Sequence, residues 1–286
     1  MSTSKAEQVR KYYDANTSLF LALGHTFDGT IHRAVWGPGT RTRRDALVYV
    51  ESLIEARIRV LCEQGAQPFH LVDLGCGVSA TLCRLAKLIG CRGTGITISK
   101  RQVELAAERI AAAGLTGQVS CQLGDFCDLP EVGVVEADAA YAIESFVLAS
   151  DARAFFSACA KRLRPGGLLM ICDDFMTDAS LLEDRRARVW LRRFEEGWRA
   201  GSLVDPAQLA ELAESSGFVQ EDSVDLTPYL ELGRPRDQLI AGLMRTLGWL
   251  PIRGEYWSML YGGHALQVAL QQGYMKYLFT TWRRIS

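Results

Sequence analysis

A buried strand that ends in two closely spaced glycines constrains this chain more than any other feature. The stretch from Leu71 to Ala80 reads Leu-Val-Asp-Leu-Gly-Cys-Gly-Val-Ser-Ala, and a helical pattern begins near Ser79. Glycine lets the backbone approach a ligand closely, and the start of a helix presents free N–H groups. Asp73 would repel a pyrophosphate at this corner but would attract a positive charge. The stretch therefore predicts a nucleotide-type site for a cationic ligand.

The pattern that follows alternates short apolar strands with helices, which is typical of an α/β fold with a doubly wound, mostly parallel seven-stranded sheet. Arg164-Pro165-Gly166-Gly167 predicts a turn between a helix and a strand, because proline cannot continue a helix. The predicted strands are 69–74, 93–98, 118–123, 135–142, 167–173, 217–224 and 273–283. The predicted core helices are 79–89, 100–113, 151–163 and 205–215, and a strongly charged helix is expected at 178–200.

Helical segments also flank the core. Segments 4–23 and about 42–64 predict an N-terminal helical lid over 1–66, followed by a core domain over 67–286. Helical cap insertions are expected at about 176–202 and 228–256. Their Leu, Met and Trp residues favour a hydrophobic small molecule as the substrate rather than a protein or a nucleic acid.

Composition further narrows the classes of protein to which the chain could belong. The 286 residues are 48% hydrophobic and 23% charged, with a formal net charge of −1, so no general electrostatic attraction to nucleic acid is expected. There is no run of about 20 apolar residues and no signal-peptide pattern, which predicts a cytoplasmic protein that does not enter a membrane. The eight cysteines lack Cys-x-x-Cys spacing, so free thiols are expected rather than disulfides or a metal site. A homo-oligomer is left open.

The stretch Asp-Leu-Gly-Cys-Gly at 73–77 resembles the first motif of class I S-adenosylmethionine-dependent methyltransferases. Gly124-Asp125-Phe126 and the Arg-Pro-Gly-Gly turn extend the resemblance over roughly 69–175. It implies S-adenosyl-L-methionine as the cofactor, whose ammonium and sulfonium groups are positive. The implied cofactor-binding residues are Asp73, Gly75, Cys76, Gly77, Thr97, Ile98, Gln102, Asp125, Phe126 and Ile143.

The chain resembles one branch of that family in more detail. Gly95-Ile96-Thr97-Ile98-Ser99, followed by Gln102, is similar to the pattern of cyclopropane-fatty-acid synthases and of tocopherol and sterol methyltransferases. The likeness implies that Gln102 bonds the ribose while Thr97 and Ile98 frame the adenosine. It also implies that Asp125 accepts a hydrogen bond from the adenine amino group. Tyr12-Tyr13-Asp14 resembles the lid helix of the branch, where a tyrosine, here Tyr13, reaches the methionyl carboxylate.

Glu144 arrives directly after an apolar strand, where an unpaired buried charge would be costly. A Glu-Ser at this place resembles the catalytic base of methyltransferases that alkylate prenyl diphosphates. The alternatives are that Glu144 orients the cofactor, binds a substrate hydroxyl or has a structural helix-cap role. His32, His25 and Tyr13 are the other candidates for acid–base chemistry or substrate contact, since imidazole titrates near neutral pH.

The expected substrate-binding residues are Trp36, Arg41, Phe175 and Trp190. Arg41, Arg43 and Arg44 lie at a helix start, where arginines would bind a diphosphate or simply form a solvated basic face. Mg²⁺ is expected only if the acceptor is a diphosphate, because the sequence contains no Asp-rich metal motif.

Three functions follow from these residues. The first is C-methylation of an alkene in a terpenoid or prenyl diphosphate, with Glu144 removing a proton. The second is O-methylation of a phenol or hydroxyl group in a secondary metabolite, with Glu144 or His32 as the base. The third is a cyclase or binding module that keeps the cofactor on the same fold without transferring a methyl group.

Overall fold

A computed structural model describes residues 32–64, 69–128, 136–247 and 254–285, together with residues 7, 9–11, 13, 14 and 17 of an N-terminal helix. Its centre is a seven-stranded sheet in the order β3-β2-β1-β4-β5-β7-β6, in which only β7 pairs antiparallel to its neighbours. The strands are β1 (His70–Leu74), β2 (Arg92–Thr97), β3 (Val119–Leu123), β4 (Ala137–Ile143), β5 (Leu163–Met176), β6 (Phe218–Asp225) and β7 (Met275–Arg284). The predicted doubly wound sheet is confirmed.

Helices cover both faces of the sheet and its carboxyl end. The helices between residues 43 and 112 are α1 (Arg43–Leu47), α2 (Tyr49–Gln64), α3 (Ala80–Ile89) and α4 (Lys100–Ala112). Those that follow are α5 (Ala152–Arg162), α6 (Arg185–Trp198), α7 (Pro206–Glu214), α8 (Pro235–Leu247) and α9 (Glu255–Gln271). None of the helices in the described ranges is long and apolar enough to cross a membrane.

Several predicted boundaries are wrong for local reasons. The helix expected at 42–64 is broken at Val48, after a short α1 that Thr42 and Asp45 close with reciprocal capping hydrogen bonds. The helix expected from 178 begins only at Arg185, because the Asp184 side chain accepts from the backbone N–H groups of Arg186 and Ala187. The cap insertion expected to end at about 256 continues as α9 to Gln271.

The predicted turn at 164–167 is instead an irregularity inside β5. Pairing with β4 moves from Ala137↔Leu163 to Ala139↔Leu168, so β5 holds the extra residues in a bulge. Gly166 has a φ of 79°, and Arg164 Nε donates to Asp138 Oδ1 at 2.6 Å. The bulge keeps the next stretch of β5 in register with the centre of the sheet.

An apolar cluster lies above the carboxyl end of the sheet, where α6 and α9 cross. The crossing is close, since a Cβ added to Gly197 would lie 2.4 Å from the Gly262 Cα atom. Glycine at both positions is therefore required for the two helices to touch through their backbones. This cluster, which includes Phe194 and Leu266, supports the roof of the cavity described next.

Candidate active site

A cavity of about 840 Å³ opens at the carboxyl ends of β1, β2, β3 and β4, and its volume lies within the range of about 300–1,000 Å³ usual for small-molecule sites. Ligands bind at this edge in open α/β sheets because the loops after the parallel strands converge there. One end of the cavity is lined by those loops, and the other by residues within 230–243 and 256–267. The cavity is thus divided between sheet and cap.

The glycine corner after β1 forms one wall. Gly75 and Gly77 have φ values of 90° and 53°, which glycine adopts without strain. A Cβ on Gly75 would lie 2.4 Å from the Ser145 Cβ atom, so a side chain there would fill the corner. The N–H groups of Gly75 and Cys76 both donate to the Ile96 carbonyl at 2.9 Å. This wall offers a bare backbone surface to a ligand, as the sequence predicts.

The loop after β2 binds the N-terminal helix. Thr97 Oγ1 donates to Gln102 Oε1 at 2.5 Å, and Gln102 Nε2 donates to Thr17 Oγ1 at 3.3 Å. Ser99 Oγ donates to Asp14 Oδ1 at 2.5 Å. The Gln102 amide expected to bond a ribose is therefore largely occupied by protein partners, although Thr97, Ile98, Gln102 and Tyr13 all line the cavity. Tyr12 and His25 lie outside the described residues.

The loop after β3 presents a carboxylate and an aromatic ring. Asp125 Oδ1 accepts from the Cys127 N–H at 2.9 Å, which fixes the side chain and leaves Oδ2 for another donor. Phe126 lines the cavity and packs edge-on against Phe155, with ring centroids 5.7 Å apart. This pair has the chemistry needed to recognise an amino-bearing heterocycle.

Asp73 does not line the cavity, unlike the other cofactor-binding residues predicted from the sequence. It is buried in β1 and accepts a hydrogen bond of 2.7 Å from Tyr141 Oη on the neighbouring strand β4. Burial raises the pKa of Asp73 to about 8, against the smaller lowering effect of the Tyr141 hydrogen bond. The predicted direct contact between Asp73 and a cationic ligand is therefore wrong, because Asp73 lies behind the cavity wall.

Glu144 lines the cavity at the end of β4 and has a φ of 52°, which is unusual for a residue with a long side chain. Its Oε1 atom accepts from the Arg33 backbone N–H at 3.0 Å, from Arg33 Nε at 3.1 Å and from Tyr277 Oη at 2.9 Å. Among the described residues, every hydrogen bond to this carboxylate falls on Oε1. Backbone strain of this kind is held by the surrounding contacts.

Burial and the charge of Arg33 have opposite effects on the pKa of Glu144. Burial raises the pKa of Glu144, but the charges of Arg33 and His32 and the hydrogen bonds from Arg33 outweigh it, so the pKa lies below its ordinary value. The guanidinium of Arg33 also lies 4.1 Å from the centre of the Tyr277 ring. Glu144 is thus held as an anion.

His32 lies beside Arg33, lines the cavity and belongs to a second polar network. Its Nε2 atom is 3.2 Å from Thr81 Oγ1, which in turn donates to Glu51 Oε1 at 2.9 Å. Glu51 is paired with Arg84, whose Nε atom donates to Oε2 at 2.8 Å. Burial lowers the pKa of His32 despite the neighbouring charges of Glu144 and Glu51, so the imidazole is neutral at pH 7.

The four residues predicted to bind the substrate do not line the cavity. Phe175 is fully buried in the core and stacks on Phe146 at 5.8 Å between ring centroids, so it has no surface to offer a ligand. Trp36 packs on Ala34 and Ala46 beside the cavity wall, and Arg41 is exposed at the start of α1. Trp190 packs edge-on against His264, which itself lines the cavity. The aromatic pattern alone did not distinguish core from cavity.

The cap end of the cavity combines apolar side chains with paired charges. Arg43 Nη1 donates to Glu231 Oε2 at 2.8 Å, and Arg234 lies between Glu231 and Asp237 at 3.6 and 3.3 Å. The diphosphate expected to bind Arg43 would therefore compete with Glu231. Within the described residues, no group of His, Cys, Asp and Glu side chains could hold a metal ion. The apolar lining residues of the cap are Leu230, Leu232, Leu239, Ile240, Leu243, Tyr256, Met259, Leu260 and Leu266.

The sequence patterns did not predict Arg33, Thr81 or Glu51 as site residues. Arg33 lies beside His32, which was a candidate site residue. A charged residue next to such a candidate was the signal that could have identified Arg33. Thr81 and Glu51 lie in helices, where a solvated or capping role is the usual reading. Their network depends on contacts between residues 30 and 49 positions apart.

Comparison with known proteins bears on the same cavity. A family model described as a methyltransferase domain matches residues 71–167. A relative from Pyrenophora dematioidea, named O-methyltransferase, is 31% identical over 272 residues, which cover 94% of each chain.

Solved structures show the same fold at lower identity. The [4+2]-cyclase SpnF has a TM-score of 0.73 at 23% identity, with 99% of this chain and 98% of that chain covered. Geranyl diphosphate C-methyltransferase from Streptomyces coelicolor A3(2), solved with Mg²⁺, geranyl diphosphate and S-adenosyl-L-homocysteine, has a TM-score of 0.65 at 17% identity, with 99% of each chain covered. At these identities the likeness shows the fold.

Proposed function

The chain belongs to the class I S-adenosylmethionine-dependent methyltransferases, and we propose that it methylates an oxygen atom of a small, largely apolar acceptor with His32 as the general base. The relative that matches almost the whole chain is named an O-methyltransferase, which favours oxygen as the methylated atom. The apolar cap end of the cavity favours an acceptor with a hydrophobic body.

The sheet end of the cavity suits S-adenosylmethionine, which supplies an electrophilic methyl group when bound. The bare backbone of Gly75 and Gly77 leaves room that a Cβ would fill, and we assign to Asp125 Oδ2 the adenine amino group. Cys76, Thr97, Ile98, Gln102, Phe126 and Ile143 complete the cofactor wall, and Tyr13 covers it. Asp73 is buried behind this wall, where it accepts a hydrogen bond from Tyr141.

The observation that carries the proposal is a neutral, partly buried imidazole that lines the cavity. A hydroxyl is a poor nucleophile until its proton leaves, and a base whose pKa lies near the working pH is best suited to remove it. Burial keeps the pKa of His32 below its ordinary value, so the ring is ready to accept a proton at pH 7. A histidine in this role contributes about 10²–10⁴-fold in rate.

Glu144 is the weaker base in this arrangement. Its pKa is lowered by Arg33 and His32 against the effect of burial, and Oε1 already accepts three hydrogen bonds. We assign Glu144 the role of fixing Arg33, and with it the segment that carries His32. C-methylation of an alkene with Glu144 as the base is the second candidate, because the Glu144 side chain is 18% exposed and lines the cavity.

The deciding experiment incubates the protein with S-adenosylmethionine and a panel of phenols, enols and prenyl diphosphates, and assigns the new methyl group by NMR as bonded to oxygen or carbon. We expect an O-methyl product, lost by about 10²–10⁴-fold in His32→Gln and largely kept in Glu144→Gln. His70→Gln, the same change at a histidine away from the cavity, is the matched control. A C-methyl product whose formation depends on Glu144 and not on His32 would contradict the proposal.

A further inference from the structure

Thr81 lies between a histidine and a carboxylate that do not touch each other. Its Oγ1 atom is 3.2 Å from His32 Nε2 and 2.9 Å from Glu51 Oε1. Both Thr81 and Glu51 are buried, and Glu51 is ion-paired with Arg84. Three side chains from α2, α3 and the segment before α1 thus form one hydrogen-bonded line that ends at the cavity.

The donors and acceptors along this line determine which ring nitrogen of His32 carries the proton. A carboxylate paired with arginine is only an acceptor, so the single Thr81 hydroxyl proton points to Glu51. The Thr81 oxygen then has only lone pairs for His32, and the proton between them belongs to His32 Nε2. A neutral imidazole with a proton on Nε2 carries its free lone pair on Nδ1.

We propose that Glu51, acting through Thr81, is a positioning residue that holds His32 in the Nε2–H tautomer and makes Nδ1 the atom that takes the proton from the acceptor. The inference rests on the proposed O-methylation and names its basic atom. Glu51 does not line the cavity, whereas Thr81 does. Glu51 therefore acts through Thr81 on the orientation and tautomer of the ring.

The arrangement also balances charge around His32. Among the described residues, the charges that act most on the ring are the carboxylates of Glu144 and Glu51 and the cations of Arg84 and Arg33. When His32 takes a proton, the carboxylate of Glu51 stabilises the imidazolium through the Thr81 hydroxyl, while Arg84 remains hydrogen-bonded to that carboxylate. Replacing Glu51 by glutamine removes a negative charge and should move the acidic limb of the pH–rate profile to lower pH.

The test uses ¹⁵N-histidine NMR on the protein without ligands, because the chemical shifts of the two ring nitrogens report the tautomer directly. The His32 signals are assigned by their loss in His32→Gln. We expect wild-type His32 to show a protonated Nε2 and an unprotonated Nδ1. Thr81→Val keeps the shape of the side chain but removes the hydroxyl, and should give a mixture of tautomers. Thr81→Ser should restore the wild-type spectrum.

The matched control is Thr94→Val. Thr94 Oγ1 lies 2.9 Å from His70 Nε2 on the sheet, away from the cavity, so this variant removes the same type of contact from a different histidine. It should change the His70 signals and leave those of His32 unchanged. Circular dichroism and thermal unfolding of each variant establish that the fold is kept.

Turnover with S-adenosylmethionine and the best panel acceptor separates the inference from the function on which it rests. We expect kcat to fall roughly 10- to 100-fold in Thr81→Val with KM little changed, and to recover in Thr81→Ser. A wild-type His32 protonated on Nδ1, or a tautomer unaffected by Thr81→Val, overturns the inference whatever the turnover. A lost tautomer preference with unchanged kcat overturns instead the assignment of His32 as the base.

Discussion

Arg33 and Asp174 form a two-pronged ion pair at the carboxyl edge of the sheet, with Nη1–Oδ1 and Nη2–Oδ2 distances of 3.0 and 2.7 Å. Asp174 is 1% exposed, and burial raises its pKa while the charge of Arg33 opposes that effect. The same guanidinium donates through Nε to Glu144. One side chain therefore pairs with the buried Asp174 of β5 and with the partly buried Glu144 at the end of β4.

Loss of this cation should be costly to stability. Arg33→Ala leaves Glu144 and Asp174 without their shared partner, and breaking a buried pair costs about 3–5 kcal/mol. The free energy of unfolding in urea measures the effect. Arg101→Ala, which removes an exposed pair with Glu104, should cost only about 0.2–0.5 kcal/mol. Equal losses in the two variants would contradict the central role of Arg33.

Gly95 should not tolerate a side chain. It pairs with Asp73 on one side and Cys121 on the other, and a Cβ there would lie 2.7 Å from Cys76 Sγ and 2.9 Å from Cys76 Cβ. Gly95→Ala is expected to destabilise the protein by about 1–3 kcal/mol, as overpacking does, and to weaken S-adenosylmethionine binding by shifting the glycine corner.

Calorimetric titration and urea unfolding of Gly95→Ala measure both effects. Gly242→Ala is the matched control, because no atom of the described residues, apart from neighbouring helix backbone, lies within 4 Å of a Cβ at that position. Alanine there should be neutral or stabilising by up to about 1 kcal/mol, since it favours a helix over glycine. If Gly95→Ala were as stable as the wild-type protein, the packing around Gly95 would not be tight.

Stability should fall as pH rises because of Asp73. Burial raises its pKa from 3.8 to about 8, so the folded protein keeps a proton that the unfolded chain releases between these values. The stabilising effect of this proton is complete below about pH 4 and is lost as pH approaches 8. Asp173, with a pKa that burial and Asp174 raise to about 8, acts in the same direction.

Asp73→Asn should flatten this dependence, because asparagine can still accept from Tyr141 but does not titrate. Urea unfolding between about pH 5 and pH 8 gives the slope of stability against pH, which should change by up to about one proton. Asp178→Asn serves as the comparison, since hydrogen bonds from Ser180 lower the pKa of that exposed carboxyl below this window. Identical slopes for wild type and Asp73→Asn would show that Asp73 is ionised in the folded state.

Asp125 should contribute to cofactor affinity through its charge. In Asp125→Asn, the amide can still accept from the Cys127 N–H, but its NH₂ group would face the adenine amino group instead of an acceptor. Loss of a charge-assisted hydrogen bond should weaken S-adenosyl-L-homocysteine binding roughly 10- to 100-fold. Isothermal titration measures the change, and Asp128→Asn at an exposed position nearby should bind as wild type does. Undiminished affinity in Asp125→Asn would remove this residue from the adenine site.

Local patterns predicted the sheet end of the site better than the acceptor end. Gly75, Gly77, Thr97 and Asp125 lie at the ends of strands or within three residues of them. Parallel strands bring those ends to one edge whatever the details of packing. Arg33 was not predictable in the same way, because its partners lie 111 and 141 residues away. Phe175 shows the opposite difficulty, since an aromatic residue near the end of a strand has the same pattern in a core as in a cavity.

The close crossing at Gly197 and Gly262 has a consequence for how this scaffold can acquire new acceptors. Any side chain at either glycine would force α6 and α9 apart, so the deep part of the roof keeps a fixed height. Helix α8 is free of that restriction, since Leu239 and Leu243 face the cavity while remaining partly exposed to solvent. Substitutions along α8 can therefore widen or narrow the entrance without disturbing the rest of the fold. Substrate preference can diverge there while the chemistry beneath is inherited unchanged.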